Sequence, residues 1–305
     1  MAPISRREAG KILAAGTAGV LLARQSIFAR PEINSVVRGV QIGAQSYSFR
    51  DRPLDAAIQG YQTVGLGECE LFQGHVEPEH VSREALRHWR LTVPMSHFHE
   101  VRQKFDNAGV QLYAYNYSFR KDFTHEEMER GFQMAQALGV KYITASSNVS
   151  VAHQVDLLAQ KYKIKVGFHN HDDTADPDEF STPATFERAL KGASPYLGIN
   201  LDIGHFTAAN QDPVSFLLEN HQKMVTLHIK DRKKNHGPGV PLGEGDCPIV
   251  AVLQLLRDHR WKIPANIEYE YGKPGMDTIA EMKKCDAYCR KALELKVIRS
   301  HSPRT

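Results

Sequence analysis

The sequence predicts a single-domain α/β protein built as a (β/α)8 TIM barrel. Eight short apolar runs alternate with helical stretches along residues 36–300. The starts of these runs recur roughly every 30 residues, the length of a strand with its crossover helix. The region is long enough for one such barrel, which typically takes about 250 residues. No glycine-rich phosphate loop follows the first run, which argues against an open dinucleotide-binding sheet.

The eight apolar runs are the predicted strands, because they are short, rich in β-branched and aromatic residues, and bounded by polar segments. They cover residues 41–48, 66–72, 110–116, 140–147, 164–169, 197–202, 223–229 and 264–270. The long connections after the second and seventh strands leave room for segments that cover a substrate.

Apolar residues spaced three and four apart predict helices between the strands. These helices cover residues 54–63, 125–138, 184–190, 250–259 and 277–295. Thr182 and Asp277 are of the types that cap helix N-termini. Pro183 suits a first helical position, because its missing N–H is not needed there.

Composition and charge exclude several classes of protein. The 38 Lys and Arg residues nearly balance the 35 Asp and Glu residues, so the net charge is only +3. We therefore expect no nucleic-acid partner and no surface for an anionic membrane. The four cysteines form no CxxC pair, which excludes a zinc finger, and they are too few for a disulfide framework. Cys285 and Cys289 lie four apart on a predicted helix and are expected to pack in the core.

The N-terminal segment, residues 1–35, is predicted to be an export signal with a linker. Arg6 and Arg7 precede a short apolar stretch at residues 12–23, the order of a twin-arginine signal. The stretch is too short to span a bilayer, which takes about 20 residues. We expect a periplasmic or otherwise exported protein with no membrane attachment after signal removal. The alternative is an amphipathic N-terminal helix on a cytoplasmic protein.

Metal-ligating residue types recur at the ends of the last four predicted strands, which read FHNH, LDIGH, LHIK and IEYE. In a (β/α)8 barrel the C-terminal ends of the strands meet at one rim, where active sites lie. We therefore expect His169, Asp202, His228 and Glu268 to bind one divalent metal ion. Two imidazoles and two carboxylates suit Mn, Co, Zn or Fe, whereas Ca and Mg prefer oxygen ligands.

Several side chains at the same rim are candidates for catalysis, because they carry protons or stabilise an oxyanion. They are Glu268, His205, Lys230, His171 and Glu270. Each of them alone can also have a structural role, such as a salt bridge at Lys230. The candidate substrate-binding residues are Glu70, Asn116, Tyr47 and Asp231.

The motifs LDIGH, LHIKD and IEYE, together with GECELF at residues 67–72 and LGEGD at residues 242–246, resemble a known family. They are similar to the xylose isomerase-like TIM barrels, which include sugar-phosphate isomerases and epimerases, D-tagatose 3-epimerase and inosose dehydratase. The resemblance extends over residues 38–295. It implies a barrel enzyme that acts on a sugar, and barrels that often pair, so a homo-oligomer is an expected partner state.

The resemblance also implies a metal shell of Glu, Asp, His and Glu. Asp202, His228 and Glu268 match its last three members, whereas His169 stands where the family has its first Glu. In the epimerases of this family both glutamates are thought to carry protons. A ligating His keeps its lone pair on the metal and cannot act as a base, so a two-glutamate epimerisation is not expected here.

The hypothesis from sequence is a metal-dependent sugar isomerase or epimerase that forms an enediolate from a keto- or hydroxy-ketose. Glu268 or a neighbouring carboxylate would take the proton. A keto-sugar lyase or dehydratase shares this intermediate and stays open. Two other classes also stay open: a non-catalytic sugar- or metal-binding barrel, and an apurinic endonuclease-like phosphodiesterase with several metals. The export signal and the missing phosphate loop favour an unphosphorylated sugar as the small-molecule partner.

Overall fold

The computed structural model describes residues 31–272 and 275–295. Eight parallel strands pair side by side and close into a barrel. They are β1 (Val40–Gln45), β2 (Glu68–Phe72), β3 (Gln111–Asn116), β4 (Tyr142–Ser146), β5 (Lys165–His169), β6 (Leu197–Asp202), β7 (Met224–Ile229) and β8 (Ala265–Ile267). β8 pairs with β7 and β1, and β1 pairs with β2, so the sheet has no free edge. The predicted (β/α)8 fold and its eight strands are confirmed.

Helices surround the barrel and bury their apolar faces against the strands. They are α1 (Leu54–Val64), α2 (Arg83–Thr92), α3 (Ser96–Ala108), α4 (His125–Ala137), α5 (Ala152–Tyr162), α6 (Pro183–Leu190), α7 (Ile203–Ala208), α8 (Pro213–Asn220), α9 (Ile249–His259) and α10 (Thr278–Glu294). All five predicted helices are present. The other five were not predicted from the sequence. Among these, α7 is only six residues long and α2 is mostly polar.

The predicted caps are also present. The Thr182 side chain accepts a hydrogen bond from the N–H of Thr185, and Pro183 is the first residue of α6. The Asp277 side chain accepts one from the N–H of Ile279 at the start of α10. These bonds satisfy backbone donors that have no partner within the helix.

Much of the predicted signal lies outside the described residues. Residues 33–35, which we assigned to the linker, are bound to the N-terminal end of the barrel. Ser35 is buried, and its hydroxyl donates to the carbonyl of Ile42 at 2.6 Å and accepts from the N–H of Gly67 at 2.8 Å. Across residues 31–272 and 275–295, none of the helices combines the length and apolar character needed to cross a bilayer.

We predict that Gly67→Ala destabilises the protein by about 1–3 kcal/mol, because it overpacks this contact. A Cβ at residue 67 would lie 1.8 Å from the backbone oxygen of Ile33, which cannot rotate away as a side chain can. Urea unfolding followed by circular dichroism measures the change. Gly239→Ala is the matched control, since its nearest neighbour would be 3.7 Å away. Equal stability of the two variants would contradict the prediction.

Candidate metal centre

Four strands deliver the predicted metal ligands to one point at the C-terminal mouth of the barrel. His169 ends β5, Asp202 ends β6, His228 lies next to the end of β7, and Glu268 follows β8. One ligand atom from each of these residues lies within 4.8 Å of the others, and all four side chains are buried. The strand register explains this convergence, because Asp202 pairs directly with His228 across the sheet.

His228 is oriented by a carboxylate beneath it. Its Nε2 lies 3.0 Å from both oxygens of Glu70, while its Nδ1 lies 3.2 Å from Glu268 Oε2. Burial lowers the pKa of His228, but Glu70 and Glu268 outweigh burial and raise it well above its usual value. With Nε2–H donating to Glu70, Nδ1 is the nitrogen that faces the other three ligands. A carboxylate behind the remote nitrogen is typical of a metal-binding histidine.

Asp202 is held in place from two sides. Its Oδ1 accepts a hydrogen bond from the N–H of His205 at 2.7 Å, which caps α7. Its backbone N–H and C=O bond the Asn170 side-chain amide at 3.0 and 3.1 Å, which ties β6 to β5. The Asp202 carboxylate therefore has little freedom to leave the cluster.

Within the part of the chain that the structure describes, His169 Nδ1 is buried and has no hydrogen bond. Asp202 Oδ2 is also buried and forms an ion pair with Lys230. Burial and the neighbouring imidazoles of His228 and His171 lower the pKa of His169 well below its usual value, so this ring is neutral. Buried polar atoms without partners are rare in proteins and call for an ion or a water. Two imidazoles with two carboxylates fit Mn, Co, Zn or Fe, as the sequence predicted.

Lys230 brings a positive charge to the same carboxylates. Its Nζ lies 3.1 Å from Asp202 Oδ2, 2.7 Å from Glu268 Oε2 and 2.5 Å from Glu270 Oε2. Burial lowers the pKa of Lys230, but Asp202, Glu268 and Glu270 outweigh burial and raise it above its usual value. Burial raises the pKa of Glu268, whereas Lys230 and His228 hold it well below its usual value. Glu268 is therefore an ionised carboxylate with little tendency to take up a proton.

Two further histidines lie above the cluster, and each contacts a carboxylate. His171 Nδ1 is 2.8 Å from Glu179 Oε1, and His205 Nδ1 is 2.9 Å from Asp172 Oδ1. The two rings are 5.2 Å apart, and their side chains are 32% and 13% exposed. One nitrogen from each of these two rings and one from His169 also lie within 4.8 Å of one another. The mouth therefore carries imidazole groups that a substrate can reach.

Asp172 is shared between His205 and Arg232, whose Nη1 lies 2.6 Å from Asp172 Oδ1. The hydrogen bond from His205, followed by that from Arg232, holds the pKa of Asp172 well below its usual range. Asp172, Arg232 and Glu179 were not among the site residues predicted from the sequence. Asp172 directly follows FHNH, and its place after the end of β5 could have predicted that it lies at the mouth of the barrel. Glu179 gave no signal, because it comes from an irregular segment before α6.

Three of the four predicted substrate-binding residues are buried and make hydrogen bonds within the protein. Glu70 is fully buried beneath His228. Asn116 is buried and donates to the Thr144 hydroxyl at 3.1 Å. Asp231 is buried and accepts hydrogen bonds from backbone N–H groups of the connection after β7, those of Gly243, Gly245 and Cys247. These side chains hold the site's surroundings in place.

Tyr47, the fourth predicted substrate-binding residue, is half-buried at the mouth. Its ring packs edge-on against Phe72, with centroids 5.0 Å apart, and the Arg50 guanidinium lies 4.7 Å from its centre. Phe72 ends β2 and is also half-buried. The ends of β1 and β2 therefore supply an aromatic wall, while the ends of β5 to β8 supply the charged groups.

We predict that Glu70→Gln weakens Mn²⁺ or Zn²⁺ binding by about 10- to 100-fold, because His228 loses the carboxylate that orients it. Isothermal titration calorimetry measures the dissociation constant. Glu68→Gln is the matched control. Burial, followed by repulsion from Glu70, raises the pKa of Glu68 well above its usual value, so this carboxyl group is already neutral. Unchanged affinity in Glu70→Gln would remove Glu70 from the metal centre.

Comparisons with known proteins agree with this architecture. A sugar phosphate isomerase/epimerase from Parabacteroides distasonis ATCC 8503 is 18% identical, with a TM-score of 0.60, and the match covers 86% of this chain and 97% of that one. The zinc-bound IolI protein is 13% identical, with a TM-score of 0.64 and coverage of 83% and 98%. The 3-keto-D-glucoside 4-epimerase YcjR from E. coli is 14% identical, with a TM-score of 0.59 and coverage of 83% and 99%.

At these identities the three structures show a shared fold. No curated protein matches the sequence significantly. The sequence model described as "Xylose isomerase-like TIM barrel" matches residues 65–287, which is most of the chain. The matched segment includes β2 to β8 and all four residues of the candidate metal centre. The chain therefore belongs to the xylose isomerase-like TIM barrel family.

Proposed function

We propose that this protein is a metal-dependent isomerase or epimerase of an unphosphorylated keto-sugar. The observation that carries the proposal is the convergence of four buried donors, His169, Asp202, His228 and Glu268, below two histidines that a substrate can reach. The named activities of the epimerases with the same fold support it. The zinc-bound structure with this fold supports a metal.

The four donors would hold one divalent cation. Such a cation would supply Lewis acidity, which would stabilise the negative charge that follows loss of a C–H proton from a hydroxy-ketone. Lys230 adds a positive charge beside the cluster. Tyr47 and Phe72 offer an apolar surface for the face of a sugar ring.

His205 and His171 are the proposed proton carriers, in place of the Glu268 expected from sequence. Glu268 is a poor base, because Lys230 and His228 stabilise its ionised form. His205 lies with Nδ1 against Asp172 and with Nε2 3.8 Å from Glu270 Oε2, on the substrate side of the cluster. An imidazole held in this way is suited to accept and return a proton.

The arrangement favours proton transfer on one face of the substrate. His171, His205, Lys230 and Glu270 all come from the ends of β5 to β8. The wall formed by Tyr47 and Phe72 lies at the ends of β1 and β2. A single face suffices to move a proton between neighbouring carbons, so isomerisation needs no further group.

Elimination is the second candidate, and the separation of the two histidines favours it specifically. With ring centres 5.2 Å apart, one imidazole can take the C–H proton while the other protonates a leaving oxygen on the next carbon. Product analysis separates a lyase from an isomerase. A binding protein without catalysis would exchange no C–H proton, and an endonuclease-like protein would bind several metals.

The substrate is proposed to lack a phosphate group, because Lys230 and Arg232 at the mouth are already paired with carboxylates. Lys230 contacts Asp202, Glu268 and Glu270, and Arg232 contacts Asp172. The predicted export signal supports the same substrate class, since sugar phosphates are mainly cytoplasmic.

We predict that the Mn²⁺-loaded protein incorporates solvent deuterium into at least one member of a keto-sugar panel, as followed by NMR. Removal of the metal with a chelator should abolish the exchange, and restoring the metal should recover it. A loaded protein that exchanges no panel member while binding several of them would favour the binding-protein hypothesis.

His205→Gln should lower kcat for this exchange by about 10²- to 10⁴-fold, the contribution of a general base. The metal affinity should stay near the wild-type value, since His205 lies outside the proposed ligand set. His153→Gln is the matched control, because His153 is exposed on α5 and is not part of the proposed site. Wild-type kcat in His205→Gln would assign the proton transfer to another group.

A further inference from the structure

Lys230 competes for the same carboxylates as the proposed metal. Its ammonium lies 3.1 Å from Asp202 and 2.7 Å from Glu268, which are the two anionic members of the ligand set. A third carboxylate, Glu270, lies 2.5 Å from Nζ on the side of the open mouth. Lys230 is buried, whereas the Glu270 side chain is 35% exposed. The ammonium thus lies between a buried pair of carboxylates and an accessible one.

The fold is shaped to hold the Lys230 side chain in this position. A Cβ on Gly204 would lie 2.8 Å from Lys230 Cγ and 3.0 Å from its Cβ and Cδ. Only glycine therefore lets the aliphatic part of Lys230 pass the start of α7. Asp202 precedes that helix and caps it, so the lysine stem and one of the ligands are fixed against the same short element.

A divalent cation and the Lys230 ammonium repel each other when both use Asp202 and Glu268. The repulsion between charges a few ångströms apart is strong in a buried site, because little water screens it. Without any cation, however, the two buried carboxylates would keep only part of their charge compensated, through the N–H of His205 and the ring of His228. Uncompensated buried charge is strongly destabilising. The site beside Asp202 and Glu268 therefore favours one cation and disfavours two.

We propose that Lys230 is an internal competitor that sets the metal affinity and selectivity of the site. It stabilises the metal-free protein by pairing with Asp202 and Glu268. Metal uptake then shifts its ammonium onto Glu270. Cations that prefer oxygen ligands gain too little binding free energy to displace the Lys230 ammonium. Cations that also bind the imidazoles of His169 and His228 gain more binding free energy. This inference rests on the metal centre of the proposed function.

The first test is the Mn²⁺ affinity of Lys230→Met, measured by isothermal titration calorimetry. We expect its dissociation constant to be at least tenfold lower than that of the wild type. The melting temperature of its metal-free form should fall, and its rise on adding Mn²⁺ should exceed the wild-type rise. The ratio of the Mg²⁺ dissociation constant to the Mn²⁺ dissociation constant should also decrease. Lys233→Met is the matched control, because the Lys233 side chain is 44% exposed and its Nζ lies 3.7 Å from Asp246, outside the metal centre.

The second test is Glu270→Gln, which removes the accessible partner and is a change at an exposed residue. The ammonium then has no carboxylate to move to, so we expect weaker Mn²⁺ binding than in the wild type. If Lys230→Met folds only with metal, the proposal is supported, because the cation replaces the ammonium. If it folds under neither condition, Glu270→Gln decides alone.

The proposal is overturned if Lys230→Met binds Mn²⁺ no more tightly than the wild type. It is equally overturned if Glu270→Gln binds Mn²⁺ as tightly as the wild type or more tightly. A different result identifies failure of the proposed function: the wild type and every variant then bind neither Mn²⁺ nor Zn²⁺, and the metal centre itself is refuted.

Discussion

The buried negative charge at the mouth of the barrel is the constraint on which the rest of the site depends. Asp202, Glu268 and Glu70 bring carboxylates into a region that water scarcely reaches. Such groups persist only if cations or strong donors pair with them. His228 lies between Glu70 and Glu268, and Lys230 bridges Asp202 and Glu268. The arrangement is therefore suited to exchange one cation for another while the surrounding bonds stay intact.

The regular geometry of the barrel brings these charged side chains together. Parallel strands end at a common rim, and every second side chain of a strand points inward, so residues far apart in sequence meet there. Hydrogen bonds from Asn170 and the cap of α7 then fix Asp202 without using its second oxygen. The supporting bonds lie below and beside the cluster, and the upper side is left to His171 and His205.

The sequence alone was enough to predict the strands and the residues of the cluster, because strand ends and side-chain parity follow from a period of two. It predicted less well what each polar residue contacts. Glu70 and Asp231 were predicted as substrate-binding residues, and their contacts in the structure, with His228 and with a loop backbone, were not predicted. Glu179 reaches His171 from an irregular segment, whose path depends on packing. Contacts made by loops and by the residues beneath the ligands depend on the tertiary structure, and no periodic pattern in the sequence predicts them.

A crystal structure of the Mn²⁺-loaded protein, with anomalous diffraction recorded at the manganese edge, tests this account most directly. The account predicts one strong anomalous peak per chain, within bonding distance of His169, Asp202, His228 and Glu268, with the Lys230 ammonium turned toward Glu270. A manganese peak bound elsewhere, or several peaks of equal strength along the mouth, would contradict it.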